Sequence, residues 1–432
     1  MSNIEIRGGR VIDPANQMDE ICSVYLADGK ILAVGEQPEG FVAEQVINAE
    51  NLIVCPGFVD LSVRLREPGQ SFKGTFASET KAAACAGVTS LCLPPDTKPS
   101  IDTPAVAELI NDKSEKVHYE QIYPIGALTQ RLAGTELSSM FALKEAGCIA
   151  VSNAQFPVAN LAVLRRAMEY ASSHDLLLMY RPNETSLSNN GCAHEGLFAT
   201  HYGLPGIPEA AESIAVAQCL DLAELTGCRV HFSQISSKRA VIKIQQAKKY
   251  GLKVTADVAV HQLHICEDNI EPFNSAYHVL PPFRTDMDKK YLQEGLANGT
   301  IDVICSDHQP HDIDAKLGAF PETEPGIASL ETLLPLTLSL TEKNNAISLI
   351  RAISFITTKP AQILGLKTGA LTVGYPADIC IFDPNLTWEV NHENWHSAGV
   401  NTPFWGKTFK GRVTHTLQTG RVIYALAPHT TY

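Results

Sequence analysis

The chain has 432 residues, 45% of them apolar, which is material for one large domain and a small one around a sizeable core. Its 34 Lys and Arg stand against 47 Asp and Glu, a formal net charge of −13 that argues against nucleic acid or an anionic membrane surface as a partner. No apolar run approaches the length of a membrane span, and "MSNIEIRGGR" has no signal-peptide apolar region, so a cytoplasmic location is expected.

In chain order, "IEIRGGRVIDP" and "CSVYLADGKILAVG" read as short strands joined by Gly-Gly and Asp-Gly turns, the first part (1–55) of a small β domain. From 56 to 359 short β-rich runs alternate with longer helical patterns. The strands are expected at 57–64, 88–93, 119–125, 148–152, 176–181, 229–234, 253–258 and 302–307. Between them lie amphipathic candidates such as "SETKAAACAG", "VANLAVLRRAMEYASSH" and "IPEAAESIAVAQCLDLAELTG". Gly87, Gly147, Gly227 and Gly251 fall where helices should stop, just ahead of the next strand. Eight such alternations over about 250 residues are the rhythm of an α/β fold of the (β/α)8 TIM-barrel kind. The strands "ADICIFDP" and "GRVTHTLQTGRVIY" then complete the small β domain from the C-terminal side, 360–432. The eleven cysteines show no Cys-x-x-Cys spacing. Cys92, Cys148, Cys305 and Cys380 sit inside apolar runs and read as small buried hydrophobes of a reduced protein.

Chemistry in such a barrel sits at the C-terminal ends of the strands. The first strand offers Ser62 and Arg64, which alternation sends to one side; the fourth offers Ser152 and Asn153, and the fifth Arg181. The sixth offers His231 and Gln234, the seventh leads to His261, and the eighth ends in Asp307-His308.

"PGFVDLSVRLREPGQ", "PPDTKPSID", "HYGLPGIPEAAE", "AKKYGLKVTADVAVHQL", "SDHQPH", "GIASLETLLPL" and "NTPFWGKTFKGRV" together resemble the dihydroorotase group of the amidohydrolase superfamily, over essentially the whole chain. The resemblance implies an amidohydrolase-type barrel and a metal-assisted hydrolase. The family pattern has His-x-His on the first strand, a bridging carboxylate or carboxylated Lys on the fourth, a His on each of the fifth and sixth, and an Asp on the eighth. Two imidazoles at i and i+2 of a strand share a face and can both reach a Zn²⁺ at about 2.0–2.1 Å. The metal acidifies its water and polarises the substrate carbonyl while the Asp shuttles the proton.

Here the pattern is nearly erased. Ser62 and Arg64 stand at the His-x-His positions, Asn153 at the fourth-strand acid, Arg181 at the fifth-strand His and Gln234 at the sixth; Asp307 alone survives of the six. Arg66 matches the arginine that grips the substrate carboxylate, but the Asn expected in "PPDTKP" is Asp96, and the Asn expected before "PPFR" is Leu280. A guanidinium has no free lone pair and stays protonated, so Arg64 and Arg181 would repel a cation. Without metal the attacking water is about nine pK units less acidic, a handicap on the order of 12 kcal/mol. The hydrolase reaction is therefore expected to be lost, with no zinc cofactor.

Other readings are weaker. His261 with His264 and His308 with His311 could hold a relocated metal, and Ser62 near Asp307 could suggest a nucleophile, though no histidine base is placed beside it. Arg66 could bind an anion or be paired with Asp96 or Asp307. Arg64 and Arg181 are expected to take over part of the metals' charge and to cross-link the strand ends through Asp307. The resemblance then implies a non-catalytic subunit, a pseudoenzyme that assembles with aspartate carbamoyltransferase catalytic chains in pyrimidine biosynthesis and is itself a homo-oligomer. Two alternatives stand beside it: a cyclic-amide hydrolase using Asp307 as base and Arg66 as anchor, and a sensor that binds dihydroorotate or carbamoyl aspartate at Arg66.

Overall fold

The computed structural model describes residues 3–427 apart from 120, 272, 344 and 345. The chain opens on β1 (Ile4–Asp13), β2 (Met18–Ala27) and β3 (Lys30–Gly35), followed by β4 (Gln45–Asn48) and β5 (Ile53–Pro56). The β2–β3 hairpin turns on Asp28 and Gly29, both at positive φ (51° and 74°), the backbone a two-residue hairpin loop requires. β4 and β5 both run parallel to β1.

The barrel strands are β6 (Phe58–Asp60), β7 (Val88–Leu93), β8 (Ile122–Ala127), β9 (Ala150–Ser152) and β10 (Leu177–Tyr180). After a two-stranded insertion, β11 (Ala193–His194) with β12 (Gly206–Ile207), come β13 (Val230–Phe232), β14 (Val254–Ala259) and β15 (Val303–Cys305). The barrel strands pair in chain order, every neighbour parallel. Beyond the last regular pair, a parallel bridge between Val63 and His308 joins the first strand's extension to the eighth's, with Arg64 N–H donating to His308 O and His308 N–H to Ser62 O, both at 3.0 Å. The expected (β/α)8 fold is therefore present.

β16 (Ile379–Glu389), β17 (Thr408–Gln418) and β18 (Arg421–Ala425) complete the second sheet, in the order β18-β17-β16-β5-β1-β2-β3 with β4 beside β1. β16 pairs antiparallel with β5, so strands from both ends of the sequence form one sheet, as expected. The last five residues of the C-terminal part, 428–432, and Glu120 of the third expected strand lie outside the described residues.

Local chemistry explains the boundaries. The helix Phe76–Cys85 starts where Thr75 accepts from Ser78 N–H at 3.0 Å in a capping box. Past its end, Gly87 has φ +81°, and a Cβ there would stand 2.5 Å from Cys380 Sγ and 2.9 Å from the Phe58 ring, so this turn seats the helix against both sheets. The helix Glu209–Thr226 likewise ends on Gly227 at φ +67°. The first strand departs from its expected span: regular pairing stops at Asp60 because the Asp60 carboxylate accepts from Ser62 N–H (3.1 Å) and from Ser306 N–H.

The barrel interior is an apolar cluster that includes Leu61, Cys92, Ile125, Leu177, Met179 and Cys305, and a larger cluster lies between barrel and helices. The small sheet has its own core of Ile6, Val11, Val24, Leu26, Val54, Ile379 and Ile381. All eleven cysteines are free; Cys92, Cys148, Cys305 and Cys380 are buried, which fits the hydrophobe reading. Among the described residues no helix is long and apolar enough to cross a membrane.

Candidate functional site

Just beyond the strand ends, where residues leave the ladder and side chains converge, Asp307 is the hub. It sits at φ +47°, two residues past β15, and is buried. Its Oδ1 accepts from Ser62 Oγ at 3.1 Å and from an Arg64 NH at 3.4 Å, and its Oδ2 from Gln309 Nε2 at 3.0 Å. Ser62 and Arg64 thus meet at one oxygen, as alternation predicts. Arg64 Nε also donates to Asp96 Oδ2 at 2.9 Å. Burial works against the Arg64 charge, but Asp96 and Asp307 more than offset it, so the guanidinium holds its proton more tightly than a free arginine. The charge that Asp96 brings to the mouth is consumed by this pair.

Arg181 departs from expectation. It follows β10, is half-buried, and makes no hydrogen bond or ion pair among the described residues. Burial lowers its pKa, Asp307 raises it and Arg64 lowers it, but Arg181 bonds neither residue. The expected cross-link through Asp307 is therefore made by Arg64 alone, because Asp307 has both oxygens already engaged.

Arg66 is a second correction: it is paired with neither Asp96 nor Asp307. At φ +64° the backbone turns the side chain away, and Nε donates to Pro310 O at 2.8 Å, with Gln70 Oε1 at 3.4 Å and His311 Nε2 at 3.0 Å from its other nitrogens. Burial and the nearby Arg64 push its pKa down to about 10. Asn153 faces its own loop. Its Oδ1 accepts from Thr129 Oγ1 (2.7 Å) and Thr129 N–H (3.2 Å), and its Nδ2 donates to Phe156 O and Leu132 O. Gln234, at φ +51°, donates its N–H to Asp257 Oδ1, while its amide lines a cavity of about 500 Å3 together with Arg181, Asn183 and Leu280.

The histidines do not assemble. His308 Nε2 lies 2.8 Å from Glu79 Oε2, and its Nδ1 accepts from Ser329 N–H; His311 is held by Pro325 O and Lys73. His231 sits between Asp257 (2.9 Å) and Thr255 (2.8 Å) inside the barrel. His261 is buried with Nδ1 lacking a hydrogen-bond partner, and burial, countered by Asp307, takes its pKa down to about 4. Glu79 is the residue sequence reasoning missed. Buried in the first helix, it also accepts from Ser397 Oγ (2.6 Å) and Ser78 Oγ (2.7 Å). A lone acid in an amphipathic run gave no signal of these distant partners. Among the described residues, Cys85, Glu331 and His396 form a group whose ligand atoms lie within 4.8 Å of one another. It lies at the opposite end of that helix. Its Glu331 already accepts from His396 Nδ1 at 2.9 Å and from the 396 and 397 N–H groups, and burial with Glu331 pushes the Cys85 thiol up to about 12.

A dihydroorotase-like protein of Pseudomonas aeruginosa is 45% identical over 421 residues, covering 98% of this chain and 99% of its own. The chain belongs to the dihydroorotase-like family. Residues 51–240 match the family described as Dihydro-orotase-like, and residues 325–424 the one described as Amidohydrolase family. A dihydroorotase of Geotalea daltonii is 39% identical, covering 98% of this chain and 99% of its own. The L-hydantoinase (dihydropyrimidinase) from Arthrobacter aurescens superposes with a TM-score of 0.87 over 99% of this chain and 98% of its own; at 22% identity it speaks for the fold alone.

The metal centre implied for a dihydroorotase-like barrel mouth does not fit the residues that this member places there. Of the six expected ligand positions, Ser62, Arg64, Asn153, Arg181 and Gln234 offer a hydroxyl, two guanidiniums and two amides, and the one carboxylate of the six, Asp307, accepts from a guanidinium. Guanidinium nitrogens have no lone pair to give, and two of them would oppose a dication by charge. The Cys85 group is incomplete beside the family pattern and lies away from the strand ends.

Proposed function

We propose that this dihydroorotase-like chain is catalytically inactive and serves as an assembly subunit with aspartate carbamoyltransferase catalytic chains in pyrimidine biosynthesis, as a cytoplasmic homo-oligomer without zinc. The observation that carries the inactive half is Arg64: its guanidinium is locked between Asp96 and Asp307 at the expected first-strand ligand position. The Asp307 carboxylate already accepts from Ser62, Arg64 and Gln309, so both of its oxygens are engaged by side chains of the protein at the position where a general base would meet water or substrate. Arg66, the proposed anchor of a residual hydrolase or a sensor, already donates to Pro310 O. The intact barrel and sheet support retention of the fold for something other than hydrolysis. The choice of partner follows from the resemblance.

The test is co-purification of this chain with the host's aspartate carbamoyltransferase chain, sized by light scattering. The expected result is one complex that persists at micromolar concentration. Separate elution would remove the scaffold role, and stoichiometric zinc with dihydroorotate turnover abolished in Asp307→Ala would restore the enzyme reading.

A further inference from the structure

Two helices on the outside of the barrel leave an open seam between them. The helix Glu209–Thr226 buries Val216, Cys219 and Ala223 in the main core, yet Ile214, Asp221 and Leu225, spaced to share one helix face, are exposed on its other side. The helix Lys238–Lys249 packs beside it and ends on Tyr250, which is 85% exposed. Along the seam lie two adjoining cavities of about 550 Å3 and about 250 Å3, which share Ala217, Asp221, Lys243 and Gln246 in their walls. Exposed Ile, Leu and Tyr side chains grouped along one concavity mark an interaction surface. The charges on this face are of opposite sign on the two helices. Glu209 and Arg239 pair with each other at 3.1 Å near the start of the seam. Asp221 and Glu224 on the first helix and Lys243 on the second make no side-chain hydrogen bond or ion pair among the described residues.

We propose that this seam binds a second copy of the chain about a two-fold axis running along it. Both helices return between parallel strands and so run the same way. Rotation about the seam therefore lays the first helix of one copy over the second helix of the other, level with level. Asp221 and Lys243, which line the same cavities, then meet across the interface twice, and Leu225 meets Tyr250 twice, the reciprocity of an isologous dimer. An axis across the seam would instead set each helix on its own copy, acid against acid, which charge opposes. One face thus supplies both halves of the complementarity, and this selects a second copy as the occupant. The inference deepens the homo-oligomer part of the function proposed above and rests on it, but not on the carbamoyltransferase partner.

Sedimentation velocity of the full chain alone, over a concentration series, tests this. The parent is expected to dimerise. Lys243→Glu and Asp221→Lys each set like charges together at both pairs and should weaken the dimer about a hundredfold. An equimolar mixture of these two variants has opposite charges at both pairs again and should form a heterodimer, a recovery that misfolded variants could not give. Lys30→Glu, the same charge change on an exposed residue of the small sheet, should dimerise as the parent does. A dimer that both variants leave intact, or a mixture that stays monomeric, would overturn this face while leaving the homo-oligomer reading in place. A monomeric parent would overturn both. If its co-purification with the carbamoyltransferase chain were then lost in Lys243→Glu, the seam would belong to that partner instead.

Discussion

Arg64 Nε and Asp96 Oδ2 lie 2.9 Å apart at the barrel mouth, each side chain only 9% exposed, and the same guanidinium reaches Asp307 at 3.4 Å. One cation thus serves two carboxylates contributed by the loop after β7 and by the end of β15. A buried pair of this kind adds little over an apolar replacement, but breaking it strands charge. Arg64→Met leaves both acids unpaired and is expected to cost about 3–5 kcal/mol in denaturant unfolding. Adding Asp96→Asn to that variant should recover part of the loss. A single variant as stable as the parent would mean the triad carries no energetic weight.

Asp60 gives a pH dependence of known sign. Burial, partly countered by hydrogen bonds from Ser306 and Ser62, raises its pKa from 3.8 to about 7. The native state therefore holds a proton that the unfolded chain releases between about pH 4 and pH 7, so stability from this group is full below pH 4 and lost as pH rises through 7. Relative to Asp60→Asn, the parent should lose on the order of 3 kcal/mol across that window. Unfolding curves at several pH values, taken as differences between the two proteins, read this directly; parallel curves would exclude it.

His261 works in the opposite direction. Its pKa is lowered from 6.5 to about 4 by burial, so the unfolded chain takes up a proton that the native state refuses. Its contribution is complete above pH 6.5 and fades as pH falls to 4. His261→Phe sacrifices no partner at Nδ1 and keeps a ring against Phe283, so the variant should resist acid better, by on the order of 3 kcal/mol at pH 4. Circular dichroism against pH would show the shift, and unchanged acid midpoints would refute it.

Gly87 joins the two sheets. Alanine there must adopt φ +81° and place its Cβ 2.5 Å from Cys380 Sγ, so Gly87→Ala is expected to cost about 2–4 kcal/mol. Gly251→Ala shares the positive φ but has open space around it, and should cost about 1–2 kcal/mol. Thermal midpoints of the two variants would separate backbone strain from steric overlap, and equal losses would leave no role for the contact with Cys380.

The sequence by itself determined the barrel, its eight strands and the split sheet, because hydrophobic periodicity, helix-stopping glycines and tight turns act over a few residues and are written locally. It also placed Ser62, Arg64 and Asp307 together, since strand alternation and the strand-end rule are geometric. Only the tertiary structure decided where the charges went. Arg64 found Asp96 and Asp307, Arg66 turned to Pro310 O at a positive φ, and Arg181 lines a cavity with no hydrogen-bond or ion-pair partner among the described residues. The Glu79 cluster, which ties the first helix to residues 308 and 397, was equally invisible. The reason is reach: a guanidinium on a flexible stem can choose among several carboxylates within a few ångströms. That choice is set by which acids are already satisfied and how each loop turns, and both depend on residues hundreds of positions away.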